Sequence, residues 1–100
     1  MPKVVFSIQY EIEGNKKEEY LTIAKELKNL LKMDGLEDYR VYEVKGKPNQ
    51  FNEIYTFSNN ESYENFDDNQ NERTSILLNK LTDIVKENST KYTTLNEILE

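Results

Sequence analysis

The sequence contains no cysteine, no histidine and no tryptophan. Without cysteine the chain can form no disulfide, no thiolate zinc site and no cysteine nucleophile. Without histidine it lacks the base of the common catalytic triads, the imidazole metal ligand and the usual proximal ligand of haem. We therefore expect no metal and no cofactor, and the residues leave open whether the protein is an enzyme.

Long apolar runs are also missing. No segment approaches the roughly 20 apolar residues that a membrane-spanning helix needs, and residues 1–9 are too short and too polar for a signal peptide. These features predict a cytoplasmic protein with no membrane association. The length of 100 residues, with 36% hydrophobic and 32% charged residues, suits a single domain over residues 1–100.

The charge balance is acidic, with a formal net charge of -6. Binding to nucleic acid depends on lysine and arginine to neutralise phosphates, so this balance argues against a nucleic-acid partner. One predicted helix carries a local basic group, which comprises Lys16, Lys17, Lys25, Lys28 and Lys32. Acidic residues are interspersed among these lysines, which is typical of a solvated outer face.

The first third of the chain changes from a strand pattern to a helix pattern. Residues 4–13 alternate with period two, which predicts a strand. Apolar residues then recur at helical spacing, which predicts a helix over 16–33 with Asn15 as its N-cap. We expect Gly35 to end this segment in a left-handed conformation.

Two further strands are predicted at 39–45 and 51–57, and their proximity in sequence predicts an antiparallel hairpin. Next comes a broken helical region. It begins near Glu61, with Ser58, Asn59 or Asn60 as the cap, and resumes over 76–85. A last strand is expected at 90–95, and the structure of residues 96–100 stays open between strand, turn and frayed tail.

The resulting order, β-α-β-β-α-β, predicts an α+β ferredoxin-like fold with two helices on one face of a four-stranded antiparallel sheet. Both faces of the predicted strands carry large apolar residues, so the face without helices keeps an apolar patch. Such a patch usually marks an interface. A second copy packing its sheet against the first covers this patch and adds core to a small chain, so we expect a homodimer.

A local pattern supports this fold. It runs from Gly35-Leu36 into Tyr39-Arg40-Val41-Tyr42 and continues through 52–58 to an acidic helix start at Glu61. In this pattern, and in its length and strand order, the sequence resembles the dimeric α/β barrel superfamily, specifically its antibiotic-biosynthesis-monooxygenase-like branch and stress-responsive relatives. The resemblance implies that two protomers join their sheets into a barrel. It also implies a cavity between each sheet and its helices for an aromatic or haem-like substrate, which some members oxidise without a metal or prosthetic group.

The sequence departs from the haem-degrading members of that superfamily. Those members use an asparagine on the first strand, a tryptophan ending the third and a histidine on the following helix. The corresponding positions here hold Ser7 and Gln9, then Phe57, then Phe66 or Asp67. The resemblance therefore supports the fold and the dimer more strongly than it supports an enzymatic activity.

Six residues are candidates for binding a small aromatic or anionic ligand: Ser7, Gln9, Arg40, Tyr42, Tyr55 and Phe57. Arg40 is the charge partner in this interpretation. The alternative is that the tyrosines are ordinary core or interface residues and that Arg40 forms a salt bridge between protomers.

Two other acidic patterns are weaker candidates for a functional site. The stretch 67–72 resembles the start of a calcium loop, but Glu72 and Leu78 stand where an EF-hand needs glycine and glutamate. Glu43 and Glu53 could face each other across the hairpin as an acid–base pair. Like charges directly opposite on a sheet are destabilising, so we expect a different register or separate exposed positions.

Three functions fit these observations. The first is a dimeric α/β barrel domain without catalytic activity, or one that binds a small molecule. The second is a cofactor-independent monooxygenase acting on a small aromatic substrate, which Gln9, Arg40, Tyr42 and Tyr55 would orient. The third is a protein-interaction module that uses the open sheet face, and a monomeric state would favour it.

Overall fold

The computed structural model describes residues 2–66 and 72–99. Its strands are β1 (Val4–Glu11), β2 (Leu36–Glu43), β3 (Gln50–Phe57) and β4 (Lys91–Asn96). Its helices are α1 (Lys17–Leu30), α2 (Asn60–Glu64) and α3 (Glu72–Ile84). This arrangement confirms the predicted ferredoxin-like order, with the second helical region divided into α2 and α3.

The four strands form one antiparallel sheet in the order β2-β3-β1-β4. The two central strands fix which residues share a face, because Ile8 lies opposite Glu53 and Ser7 lies opposite Ile54. Side chains alternate along a strand. Even-numbered residues of β1 and odd-numbered residues of β3 therefore point to the helices, a surface that we call the inner face. The opposite surface is the open face.

The core forms between the inner face and the apolar stripes of α1 and α3. Strand residues in this core include Val4, Tyr10, Tyr39, Phe51, Tyr55 and Phe57, and helix residues include Tyr20, Ile23, Leu27, Leu77, Leu81 and Ile84. The helical residues recur three or four positions apart, so each helix turns one stripe to the sheet. The predicted helical periodicities therefore identified most of the buried helix residues, although Ile76 is 41% exposed.

The boundaries of α1 differ from the prediction. The helix begins at Lys17, and Lys16 occupies the N-cap position without a side-chain hydrogen bond. The prediction that Asn15 is the N-cap is therefore wrong. The Lys16 amide donates to the Glu13 carbonyl at 2.9 Å, which closes a turn and delays the helix start. The helix also ends at Leu30, because Leu31 has left the helical region with ψ at 76°.

The later elements follow the predictions with smaller changes. Strand β2 starts earlier than predicted, because Leu36 pairs with Phe57 ahead of a bulge. Asn59 is the N-cap of α2, and its side chain accepts a hydrogen bond from the Ser62 amide at 2.8 Å. The stretch that resembles a calcium loop falls mostly at 67–71, outside the described residues.

Gly35 connects α1 to β2 in a left-handed conformation, as predicted, with φ at +89°. Its carbonyl accepts a hydrogen bond from the Ser58 amide at 2.7 Å. A β-carbon at this position would overlap the side chain of Ser62 in α2. Glycine is therefore required here both by backbone conformation and by the close approach of α2.

Gly35→Ala is expected to lower the free energy of unfolding more than Gly46→Ala. Both glycines have positive φ, at +89° and +82°, so each alanine costs about 1–2 kcal/mol in backbone strain. Only Gly35 has a neighbour in the way, since nothing lies within 4 Å of a β-carbon at Gly46. Urea unfolding of both variants measures the difference, and equal losses would contradict the proposed contact with α2.

Candidate functional site

A cavity of about 450 Å³ lies between the inner face of the sheet and helix α3. Its apolar wall comprises Ile8, Tyr10, Leu78, Leu81, Val85 and Tyr92. Its polar lining comprises Glu53, Thr82, Lys86, Glu87, Asn88 and Thr90. We call this the inner cavity. The volume falls in the range of roughly 300–1,000 Å³ that is typical of small-molecule sites.

The rim of the inner cavity is fixed to the end of β1. The Lys86 amide donates to the Glu11 carbonyl at 2.8 Å, and the Lys86 ammonium pairs with the Glu11 carboxylate at 2.9 Å. The Ser89 hydroxyl accepts from the Glu11 amide at 3.1 Å. The segment that follows α3 is therefore held in place by both backbone and side-chain bonds.

Glu53 is an acidic residue at the floor of the cavity, and only 2% of its surface is exposed. It lies on β3 between Ile8 of β1 and Val41 of β2. The Tyr39 hydroxyl donates a hydrogen bond to Glu53 Oε1 at 2.5 Å. The Tyr10 hydroxyl interacts with the same carboxyl and lies 2.8 Å from the hydroxyl of Tyr20. These four residues form what we call the Glu53 network.

Burial raises the pKa of Glu53 above its ordinary value of 4.5, although hydrogen bonds from Tyr39 and Tyr10 act in the opposite direction. No ion pair reaches Glu53 from residues 2–66 or 72–99. Burial also raises the pKa of Tyr10, Tyr20 and Tyr39, so these phenols stay protonated. The network therefore favours its neutral form.

A second pocket of about 410 Å³ adjoins the inner cavity and shares Ile8, Leu78 and Tyr92 with it. Its other lining residues are mostly aromatic: Phe6, Tyr55, Tyr63 and Phe66, together with Glu64. Phe66 lies edge-on to Tyr55, with ring centroids 5.2 Å apart. Leu78 of α3 borders both spaces, so the two form neighbouring compartments under one helix.

The structure separates the six predicted ligand residues into two groups. Tyr55 and Phe57 lie on the inner face, where both are buried. Tyr55 lines the adjoining pocket. Phe57 is fully buried and packs against Tyr63 and Phe66, with ring centroids 5.6 and 5.5 Å apart.

The other four predicted residues lie on the open face. Ser7 donates a hydrogen bond to Asn52 Oδ1 at 2.7 Å, and Gln9 lies opposite the same Asn52. Arg40 forms an ion pair with Asp38 on its own strand. Tyr42 is half exposed at the β2 edge of the sheet. These residues therefore do not share a cavity with Tyr55.

Glu53 lines the inner cavity but is not among the six predicted ligand residues. The predicted difference in register is confirmed, because Glu43 lies opposite Phe51 and pairs with Lys17 at 3.1 Å. The alternative of exposed positions is wrong for Glu53, which is buried. The strand alternation contained the signal, because Glu53 falls on the same face as Phe51 and Tyr55. An acid in register with buried aromatics predicts a buried carboxyl.

The part of the chain covered by residues 2–66 and 72–99 holds no cluster of three or more potential metal-ligating side chains. Over the same residues, no helix has the length and apolar character needed to cross a membrane.

Comparisons with known proteins identify the fold. No family model and no curated protein matches the sequence. Among solved structures, a conserved protein from Methanosarcina mazei Go1 has a TM-score of 0.83 at 16% identity, over 98% of this chain and 95% of that one. SnoaB, a cofactor-independent oxygenase from Streptomyces nogalater, has a TM-score of 0.79 at 9% identity, over 98% and 95%.

A protein from Nitrosomonas europaea that is provisionally named an antibiotic biosynthesis monooxygenase has a TM-score of 0.82. It is 9% identical, over 96% of this chain and 90% of that one. The fold is thus that of the antibiotic-biosynthesis-monooxygenase-like ferredoxin-fold proteins, as the resemblance predicted. Sequence identities this low show the fold alone, because one fold serves many functions.

We expect the stability of the protein to fall with pH through Glu53. Its pKa is raised in the folded chain, so its contribution is fully present below the unfolded pKa and is lost as the pH rises through the folded pKa. Glu53→Gln keeps the shape but cannot ionise. As the pH rises above 4.5, the wild type should lose stability relative to this variant, by about 1.4 kcal/mol per unit of pKa difference.

Urea unfolding across this pH range measures the effect. Glu43→Gln, at an exposed position on the same side of the sheet, is the matched control and should keep the trend of the wild type. A constant difference between the wild type and Glu53→Gln would show that Glu53 has an ordinary pKa.

Proposed function

We propose that the protein is a homodimeric α/β barrel that binds a small aromatic molecule in the inner cavity. The observation that carries this proposal is the composition of the cavity, which combines apolar walls with one buried carboxyl. Ligand sites commonly have this character, since apolar walls supply affinity and a few polar groups fix orientation.

An aromatic ligand fits the walls better than a flexible aliphatic one. Tyr10 and Tyr92 line the inner cavity, and the adjoining pocket adds Phe6, Tyr55 and Phe66. Aromatic rings interact favourably in tilted and edge-to-face arrangements beyond the area that they bury. Tyr92 is 67% exposed at the cavity wall on β4, so a ligand could cover it on binding.

The open face supports the homodimer. Its middle carries Val5, Ile54 and Thr56, which are half-buried by neighbouring side chains, and Leu95 at the β4 edge is 53% exposed. Polar residues between them are already partnered, as Ser7 and Asn52 are. A second copy would bring identical strips together and remove these apolar groups from water.

Cofactor-independent oxygenation of an aromatic ligand is the second candidate, and the structural likeness to SnoaB favours it. Such a reaction needs a group that takes a proton from the substrate. Glu53 is the buried carboxyl among residues 2–66 and 72–99, and burial makes it hold its proton more tightly. The site geometry therefore supports binding more than oxygenation.

Leu78→Trp is expected to weaken binding of naphthalene at least tenfold, because Leu78 borders both compartments and the larger ring would fill them. Ile76→Trp is the matched control, since Ile76 lies on the same helix with 41% of its surface exposed. Equilibrium dialysis measures both affinities. Failure of the wild type to bind naphthalene would contradict the proposed function, as would equal affinities of the two variants.

Ile54→Arg is expected to convert the dimer into a monomer. Ile54 lies at the centre of the open face, opposite Ser7 and beside Arg40. A buried charge without a partner should raise the dissociation constant roughly 100-fold or more. Native mass spectrometry and sedimentation measure the state, with Ile76→Arg on α3 as control. A monomeric wild type would contradict the homodimer and favour a different partner for the open face.

A further inference from the structure

The Glu53 network contains more hydroxyl protons than its own hydrogen bonds use. Three contacts join its members: a hydrogen bond between the hydroxyls of Tyr10 and Tyr20, a hydrogen bond from Tyr39 to Glu53, and the interaction of the Tyr10 hydroxyl with the Glu53 carboxyl. With Glu53 protonated, the four groups carry four hydroxyl protons, and the three contacts use at most three of them. At least one O–H donor therefore remains. With Glu53 ionised, only the three phenol protons are left, and the three contacts can use all of them.

The location of the remaining donor follows from burial. Tyr20 lies on α1 and is fully buried. The Tyr39 hydroxyl already donates its proton to Glu53 Oε1. Glu53 and Tyr10 are the two members that line the inner cavity. A buried donor without an acceptor is costly, so the network places its free proton where a molecule in the cavity can accept it.

We propose that the Glu53–Tyr10 pair is the polar anchor of the inner cavity, and that it selects neutral ligands whose oxygen accepts a hydrogen bond. This inference rests on the proposed binding function and specifies its ligand chemistry. An anionic ligand is disfavoured, because the apolar walls would desolvate its charge close to the Glu53 carboxyl.

The same geometry makes the affinity of the cavity for such ligands depend on pH. The titratable groups that face Glu53 are Tyr10 of β1, Tyr20 of α1, Tyr39 of β2 and Tyr55 of β3, and burial raises the pKa of each phenol. These phenols stay neutral while Glu53 titrates.

Charged groups also stand at the rim, after α3. Lys86 lines the cavity but its ammonium is paired with Glu11, and Glu87 lies next to it. On α3 itself the residues that line the cavity are Leu78, Leu81 and Thr82, none of which titrates. Glu53 is thus the group at the cavity floor whose ionisation removes a donor.

The test uses equilibrium dialysis to compare three probes that share a naphthalene ring. They are naphthalene itself, 2-acetylnaphthalene, whose carbonyl can only accept a hydrogen bond, and the anion 2-naphthoate. For the wild type we expect 2-acetylnaphthalene to bind near pH 5 and to lose about tenfold in affinity, relative to naphthalene, as Glu53 ionises at higher pH. Binding of 2-naphthoate should be weaker throughout. Glu53→Gln retains an N–H donor that does not titrate, so its preference for the ketone should persist at all pH values.

Glu53→Leu should lose the preference for the ketone over naphthalene. Circular dichroism and thermal unfolding establish that each variant is folded, and the pH comparison of the wild type with Glu53→Gln tests the inference even where Glu53→Leu is unstable. A preference for the ketone that is independent of pH in the wild type would overturn the inference while naphthalene binding kept the proposed function intact. Absence of naphthalene binding would overturn both.

Discussion

The carboxyl of Glu53 occupies the middle of an otherwise aromatic inner face, and the surrounding structure is organised around the cost of burying it. An isolated carboxylate in such a place would lose several kcal/mol of hydration free energy, so the group either gains partners or keeps its proton. The structure does both. Phenol hydroxyls on β1 and β2 reach the carboxyl, and burial raises its pKa. A polar network therefore lies where a small domain would ordinarily place its best hydrophobic contacts.

The register of the sheet brings this network together. Glu53 lies between Ile8 and Val41, so the positions diagonal to it on the neighbouring strands belong to Tyr10 and Tyr39. Tyr20 completes the network from α1, where helical spacing directs it at the sheet. A shift of one residue in either pairing would move these phenols to the open face. Fold and site thus depend on the same register, which explains why the site lies on regular strands.

The sequence predicted the element order, the hairpin and the left-handed Gly35, and it limited the cap of α2 to three residues that include Asn59. Each of these features depends on local periodicity or turn chemistry. It did not predict the end of α1, since helix boundaries depend on backbone hydrogen bonds such as that from Lys16 to Glu13. The candidate site was harder to predict. Ser7, Gln9, Arg40 and Tyr42 have suitable chemistry but lie on the open face. The packing of the helices decides which face of the sheet they cover. Both faces of the predicted strands mix polar and apolar residues, so the sequence alone does not identify the covered face.

At the position of Glu53, the residue that favours stability differs from the residue that favours function. An apolar residue at this position would pack against Ile8 and Val41 without desolvating a carboxyl, and replacing buried polar groups by apolar ones is often neutral or stabilising. Selection for stability alone therefore does not account for an acid here. Natural sequences depart from local rules mainly at functional sites, where an acid can supply a proton that no apolar residue offers. Because Glu53 is both the clearest departure in the core and a lining residue of the inner cavity, its burial connects the energetic cost of the network to recognition in that cavity.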